Sequence, residues 1–441
     1  MKVLVVGQGA REHALCWRFS QSQKVWGLFC ASGNPGISRT ATQVDIAPTD
    51  IDPLAGFAES QKIDLTVVGS ENPLALGIVD EFERRGLPIF GPTKAATQLE
   101  ASKSFAKALM REAGVPTAEW ESFDDADAAR RYVNARRRPL VVKADGLALG
   151  KGVTICDDTD SALAAITAAM EKKCFGEAGA RVVVEERLAG EELSFFALCN
   201  GENALSLGAV QDHKAAYDGD RGPNTGGMGA YCPVPAYDRR FEERVMSQVV
   251  RPTLAAMAAR GTPFKGVLFA GLMVDGERIA VLEFNARFGD PECEPLMMRF
   301  EGDLAETLLV VTEGRMHDVS FRLSPRSAAT VVLASGGYPG DYQKGLPITG
   351  LERIDGAEPS EVKVKWAMDK VRVKAFHAGT ALRGGQLVTD GGRVLAVTAM
   401  AEKLERAVAA AYEAAGMIHF ERKQMRHDVA RRALDYAPRC A

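Results

Sequence analysis

Between Val3 and about Ala101, apolar runs alternate with amphipathic stretches. Val3–Val6, Val25–Phe29, Leu65–Val68 and Ile89–Phe90 read as buried strands, and Ala10–Ser20, Pro53–Ser60 and Pro73–Arg85 as helices between them. Strand and helix in turn predict a doubly wound parallel α/β sheet. A helix over Lys94–Ala113 should stop at Gly114-Val115-Pro116, and a charge-rich helix, Asp124–Arg138, follows. Next come Leu140–Lys143, a glycine loop, Val153–Cys156, helix Asp160–Lys173 and strand Arg181–Glu185, a compact unit able to move as a lid. An antiparallel region then runs to about residue 325, with a hairpin of Gly266–Val274 and Ile279–Asn285 turning at Asp275-Gly276. Leu323–Arg326 is a linker candidate, and Ala328–Ala334, Val371–Phe376, Arg393–Thr398 and helix Ala401–Ala415 predict a C-terminal α+β piece. The expected division is 1–102, 103–325 with a lid over 120–188, and 326–441.

Composition narrows the function classes. Hydrophobic residues are 46% of the 441 and charged residues 25%, which excludes a disordered chain. The 54 Lys+Arg against 58 Asp+Glu leave a net charge of -4, so a globally basic nucleic-acid binder is excluded and any anionic ligand must be met locally. The eight cysteines form no CxxC pair, as expected of reduced thiols in the cytoplasm. No stretch approaches the roughly 18 apolar residues of a membrane span, and Met1–Gly7 reads as a first strand, so a soluble protein with no membrane partner is expected.

Four motifs carry candidate chemistry. Gly7-Gln8-Gly9-Ala10-Arg11-Glu12-His13 follows the first strand and opens a helix, where backbone N–H groups and the helix dipole favour phosphate. A dinucleotide site would need a third glycine and an acid ending the second strand, but Glu12 and Cys30-Ala31 stand there. A phosphorylated small molecule fits better, with a merely tight turn as the alternative. Lys143–Val153 is a basic, glycine-punctuated loop between two strands, suited to wrapping phosphate oxygens, although an ordinary hairpin would look similar. In Glu283-Phe284-Asn285-Ala286-Arg287-Phe288-Gly289-Asp290-Pro291-Glu292, alternation puts Glu283, Asn285 and Arg287 on one face and Phe284 and Phe288 on the other. Two oxygen ligands and a guanidinium on one face suit Mg²⁺ with phosphates; a solvated edge strand explains the alternation but not the turn after it. Gln211-Asp212-His213-Lys214 and the glycine-rich loop Asp218–Ala230 suggest polar substrate contacts, His213 alone being more often structural.

Together and in this order the motifs resemble the phosphoribosylamine–glycine ligase family of the ATP-grasp superfamily, over essentially the whole chain. Gly91-Pro92-Thr93, Leu99–Lys103, Ala334–Pro339, Phe376–Thr380 and Gly391–Leu395 agree as well. The resemblance implies an ATP-grasp core with a mobile lid, and ATP-driven joining of glycine to 5-phosphoribosylamine with Mg²⁺ or Mn²⁺. It implies Glu283 and Asn285 as metal ligands, and Arg287, Asp212, Lys214 and Asp290 as catalytic groups. Lys103, Lys143, Gly150, Lys151 and Gly152 would hold the nucleotide phosphates, Glu185, Glu186 and Leu188 would line the adenine, and Glu192 would hold the ribose. Gly9, Arg11, Glu12, Asn224, Thr225, Gly226, Gly227 and Glu292 would surround the joined substrates. A cytoplasmic monomer acting on small molecules is implied, with no nucleic-acid partner. Alternatives are another ATP-grasp carboxylate–amine ligase or carboxylase, or a nucleotide sensor without turnover. Four departures stand out: Ala215 where an Arg is usual, Leu149 for a small residue, Ser70-Glu71-Asn72-Pro73 for Pro-Glu-Ala-Pro, and Glu294 for a Gln.

Overall fold

A computed structural model describes residues 1–148, 152–354 and 371–436. The N-terminal third is the expected parallel sheet: β1 (Lys2–Gly7), β2 (Gly27–Ser32), β3 (Thr42–Val44), β4 (Leu65–Val68) and β5 (Ile89–Phe90), in the order β3-β2-β1-β4-β5. The short edge strand β3 was not anticipated, because only one of its three side chains is apolar and buried.

Two expected helices are each two. Pro73–Arg85 breaks at Gly77, whose φ of 97° ends Glu71–Leu76 before Ile78–Arg84 begins. Lys94–Ala113 breaks at Ser102, which is extended and caps the helix Lys103–Ala113 by accepting from the Phe105 N–H (3.2 Å). Ser102 also donates to Asp145, so the break is where this segment is tied to the glycine loop.

The lid is a four-stranded antiparallel sheet of β6 (Trp120–Phe123), β7 (Leu140–Ala144), β8 (Val153–Cys156) and β9 (Val182–Glu186), ordered β6-β9-β7-β8. Its apolar core, built from Val133, Leu140, Val142, Ile166, Val182 and Val184 among others, is separate from the larger ones.

β10 (Glu191–Asn200) and β11 (Ala204–Asp212) open the large sheet, and β12 (Ala215–Tyr217) with β13 (Arg221–Asn224) is a hairpin above it. β14 (Gly229–Cys232), β15 (Lys265–Asp275) and β16 (Arg278–Asn285) follow, and β17 (Phe300–Glu301) pairs with β18 (Arg322–Leu323). β19 (Ser327–Ser335), β20 (Arg372–His377), the hairpin β21 (Thr380–Arg383) and β22 (Gln386–Thr389), β23 (Arg393–Ala401) and β24 (Lys423–Gln424) complete the chain. The C-terminal strands extend the large sheet, in the order β16-β15-β10-β11-β14-β19-β23-β20, with β24 beside β19. The join is the β14–β19 ladder, Gly229↔Val331 to Cys232↔Ala328. The last long helix is Leu404–Met417, later than expected because the apolar run to Ala401 belongs to β23.

Candidate active site

The β15–β16 hairpin supplies the first part of the site. Its register slips between Gly271↔Glu283 and Leu272↔Val281, leaving Leu282 as an extra residue whose carbonyl accepts from Lys143 Nζ (3.0 Å). Beyond this bulge Phe284 is buried, while Glu283 and Asn285 stay half-buried on the opposite face. Burial pushes the Glu283 carboxyl up, but Lys214, Lys143, Lys103 and Arg287 push it down harder, so it is held below its usual range and ionised.

Asn285 Oδ1 accepts from Arg287 Nη2 (3.3 Å), which keeps all three groups together past the end of the strand. Arg287 is not open, however: it lies between Glu100 (3.0 Å) and Glu71 (3.2 Å). Glu100 also accepts from the Ala286 N–H (2.7 Å). Glu71 belongs to the departing Ser70–Pro73 stretch; burial raises it, but Arg287 and Arg11 bring it down to about 2. The sequence reading missed both acids because they lie far from the strand in the chain.

Among the described residues no group of three or more His, Cys, Asp or Glu could cage a metal. One ionised carboxylate and one amide oxygen, two positions apart, instead suit a hard cation that keeps water and shares phosphate oxygens.

Lys103 begins its helix and donates to the Gly146 carbonyl (3.3 Å). One turn later on the same helix is Lys107, which sequence reading did not single out although the four-residue spacing was visible. Lys107 and Lys143 both form ion pairs with Glu185, and all three side chains are buried. Desolvation draws Lys107 down to about 8 despite this carboxylate, since one anion serves two cations. Glu185, expected to line the adenine, directs its carboxylate to the two lysines. Glu186 is also engaged: its N–H bonds the Glu119 carbonyl (2.9 Å) and its carboxylate accepts from the Glu119 N–H (3.2 Å). Leu188, half-buried, follows where the ladder ends. Gly150 and Lys151 lie outside the described residues; the Gly152 carbonyl accepts from Ala144 (2.8 Å).

The first motif departs most from expectation. Glu12 turns back to accept from the Gly9 N–H (2.5 Å) and pairs with Arg11 Nε (2.8 Å). The helix start is thus capped by its own carboxylate, and the phosphate reading of that N–H is corrected. Arg11, likewise buried, donates to the Phe288 carbonyl (3.0 Å), and its N–H approaches Asp290 (3.4 Å). Arg11 and Glu12 therefore brace the turn after Arg287 instead of facing open space.

Asp212 and Lys214 leave β11 toward the same region. Lys214 Nζ lies 3.5 Å from Glu192, so this acid, expected at a ribose, also serves a lysine. Burial, with Glu292 and Glu192 nearby, outweighs Lys214 and pushes Asp212 up to about 8. A carboxyl whose folded pKa exceeds its unfolded value near 4 loses stability as pH rises between the two. Asp212→Asn should therefore gain stability relative to the parent from pH 5 to pH 8 in urea titrations, and an unchanged difference would contradict the assignment. Glu292 accepts from Ser194 Oγ (2.9 Å), and Asn224 is exposed with its backbone paired to Ala215.

Thr225 Oγ1 bridges the Lys214 carbonyl (2.8 Å) and the Gly227 N–H (2.9 Å). Gly227 has φ 113°, and a Cβ there would meet Pro291 at 2.4 Å, so only glycine lets this loop close on the Asp290–Pro291 turn. His213 is structural, as expected, with Nε2 accepting from the Ala430 N–H (2.9 Å).

Arg393, on β23 and within the matching stretch Gly391–Leu395, fastens this corner. Its Nη1 donates to the Gly226 and Asp290 carbonyls (both 2.6 Å), and Nη2 pairs with the Asp290 carboxylate (3.2 Å). Arg393→Ala should lower kcat/KM by about 10²-fold through misplacement of the loop, with Arg393→Lys intermediate; near-parental kinetics would contradict this. Glu294 is fully buried with neither oxygen hydrogen-bonded, and burial drives its carboxyl well up, so it is neutral like the usual Gln.

A lid sheet bearing Lys143, set over an antiparallel sheet with a carboxylate–amide pair, defines an ATP-grasp enzyme. Sequence models for phosphoribosylglycinamide synthetase match as N domain over residues 1–100, ATP-grasp (A) domain over 101–293 and C domain over 328–432. The phosphoribosylamine–glycine ligase of Rhodopirellula baltica is 47% identical over 98% of both chains, and that of Brucella melitensis 45% over 99% of both. The crystal structure of the Thermotoga maritima phosphoribosylamine–glycine ligase superposes with a TM-score of 0.81 at 32% identity, over 97% of this chain and 100% of that one. A biotin carboxylase from Campylobacter jejuni, 14% identical over 96% of this chain and 93% of that one, shares the fold with a TM-score of 0.71. The chain belongs to the phosphoribosylamine–glycine ligase family.

Proposed function

We propose that this chain joins glycine to 5-phosphoribosylamine at the expense of ATP, giving glycinamide ribonucleotide, ADP and phosphate in purine biosynthesis. The observation that carries the reading is the ionised Glu283 beside Asn285, ringed by Lys103, Lys143, Lys214 and Arg287. A glycine carboxylate is a poor electrophile. Transfer of the γ-phosphoryl group to it gives glycyl phosphate; the ribosylamine nitrogen then attacks the acyl carbon, the C–N bond forms and phosphate leaves.

Mg²⁺ or Mn²⁺, held by Glu283 and Asn285, would neutralise charge on the phosphate oxygens. Lys103, Lys143, Gly150, Lys151 and Gly152 bind the phosphates, the segment at Leu188 receives adenine, and Arg287 stabilises the group in transfer. Asp212, with its pKa near 8, takes the proton that the amine gives up, and Lys214 keeps it poised beside the reacting atoms. Gly226, Gly227, Thr225, Asp290 and Glu292 shape the substrate end, with Arg11 and Glu12 supporting it from beneath. The chain works as a cytoplasmic monomer of three units, 1–102, 103–325 with a lid at 120–188, and 326–441, without nucleic acid. None of the helices among the described residues is long and apolar enough to cross a membrane.

ADP release should require both glycine and phosphoribosylamine. Turnover indifferent to either, or equally fast with other amines, would favour another ATP-grasp reaction.

A further inference from the structure

A second cavity, of about 450 Å³, is lined by residues with no part in the reaction above. It lies where the large sheet opens. β11 and β14 pair only at Gln211↔Tyr231 and Asp212↔Ala230, and Gly208 and Ala209 on one side and Pro233 and Val234 on the other line the cavity beyond that short ladder. The stretch from Val319 to Leu323 supplies another wall, including the Phe321 ring. This volume is within the range of small-molecule sites.

The polar groups are few and specific. Arg299 lines the cavity and is 7% exposed, and its guanidinium donates to the carbonyls of Ser324 (2.6 Å from Nη2) and Arg326 (2.8 Å from Nε). Among the described residues no carboxylate forms an ion pair with it. Glu242 also lines the cavity and accepts from Ser206 Oγ (3.3 Å); it feels the charge of Arg299 without pairing with it, and burial raises its carboxyl pKa. A buried cation that no described carboxylate pairs with, beside an apolar wall, is matched by an anion that brings an apolar body with it.

We propose that this cavity binds a small organic anion, a carboxylate or phosphate monoester on a single-ring apolar body, with the anion at Arg299 and the ring against Leu205, Val234 and Phe321.

The test uses the full-length protein with the catalytic cleft saturated by ADP and glycine. Phenyl phosphate, phenylacetate, inorganic phosphate and benzyl alcohol are titrated in turn while Tm is followed. At least one of the two ring-bearing anions should give a saturable rise of a few degrees, and comparing them separates phosphate from carboxylate. Inorganic phosphate and benzyl alcohol should do much less. Val319→Trp, which fills the cavity and touches no catalytic residue, should abolish the rise and leave basal ligation within about twofold. Arg299→Met should also abolish it, but that change removes an anchor of Ser324 and Arg326, so Val319→Trp carries the test if it fails to fold. No response to either ring-bearing anion, an equal response to inorganic phosphate or benzyl alcohol, or a response unchanged in Val319→Trp would overturn the proposal.

Discussion

Glu283→Ala is expected to remain folded and to lose turnover by about 10³-fold or more, because it would delete the ionised carboxylate proposed to hold the metal. The side chain is half-buried, and the apolar side of that segment is filled by Phe284 and Phe288. Its removal also leaves Lys214, Lys143, Lys103 and Arg287 facing one another without the shared anion. ATP should therefore still bind through its phosphates, while raising the metal concentration should fail to restore the rate. ADP formation measured across a Mg²⁺ titration checks this, and near-parental turnover at saturating metal would remove Glu283 from the mechanism.

Glu185→Gln should produce the largest loss of stability, about 3–5 kcal/mol, because it leaves Lys107 and Lys143 buried without the carboxylate that pairs with both. Both lysines have other partners, Thr117 Oγ1 (2.7 Å) and the Leu282 carbonyl (3.0 Å), but neither of these carries charge. Trp120 pairs with Glu185 across the β6–β9 ladder, so its fluorescence reports the affected region in urea unfolding. Burial alone would raise the Glu185 carboxyl, yet the two ammonium groups hold it below its usual range. Its stabilising contribution is therefore present above about pH 4 and lost on acidification through the lower folded value. Adding Lys107→Met to Glu185→Gln should recover part of the loss by removing one unpaired cation. A change below about 1 kcal/mol would contradict the account of this triad.

How much of this was legible in the sequence depends on how local each interaction is. The β15–β16 hairpin and the side alternation of Glu283, Phe284 and Asn285 follow from period-two patterning and an Asp-Gly turn, and the structure has them where expected. The parallel N-terminal sheet was legible from continuous apolar runs set between amphipathic helices. Helix breaks at Gly77 and Ser102 were weaker signals, since each residue is tolerated inside a helix and acts here through φ or through a tie to Asp145.

The pairs Arg287–Glu71, Arg287–Glu100 and Arg393–Asp290 were not legible at all, because they join segments far apart in the chain. The capping role of Glu12 was not legible for a different reason. The helix-start pattern that suits an external phosphate suits an internal carboxylate equally, and only the three-residue spacing from Gly9 hinted that the chain caps itself. Glu185 shows the same ambiguity on a strand: an acid beside the lysines serves them before it serves a ligand.

The account rests on where the triphosphate goes. A crystal structure of the protein with Mg²⁺ and a non-hydrolysable ATP analogue should place the cation against Glu283 and Asn285, with the γ-phosphate reaching Arg287. A triphosphate held elsewhere, with Glu283 still surrounded only by Lys103, Lys143, Lys214 and Arg287, would contradict it.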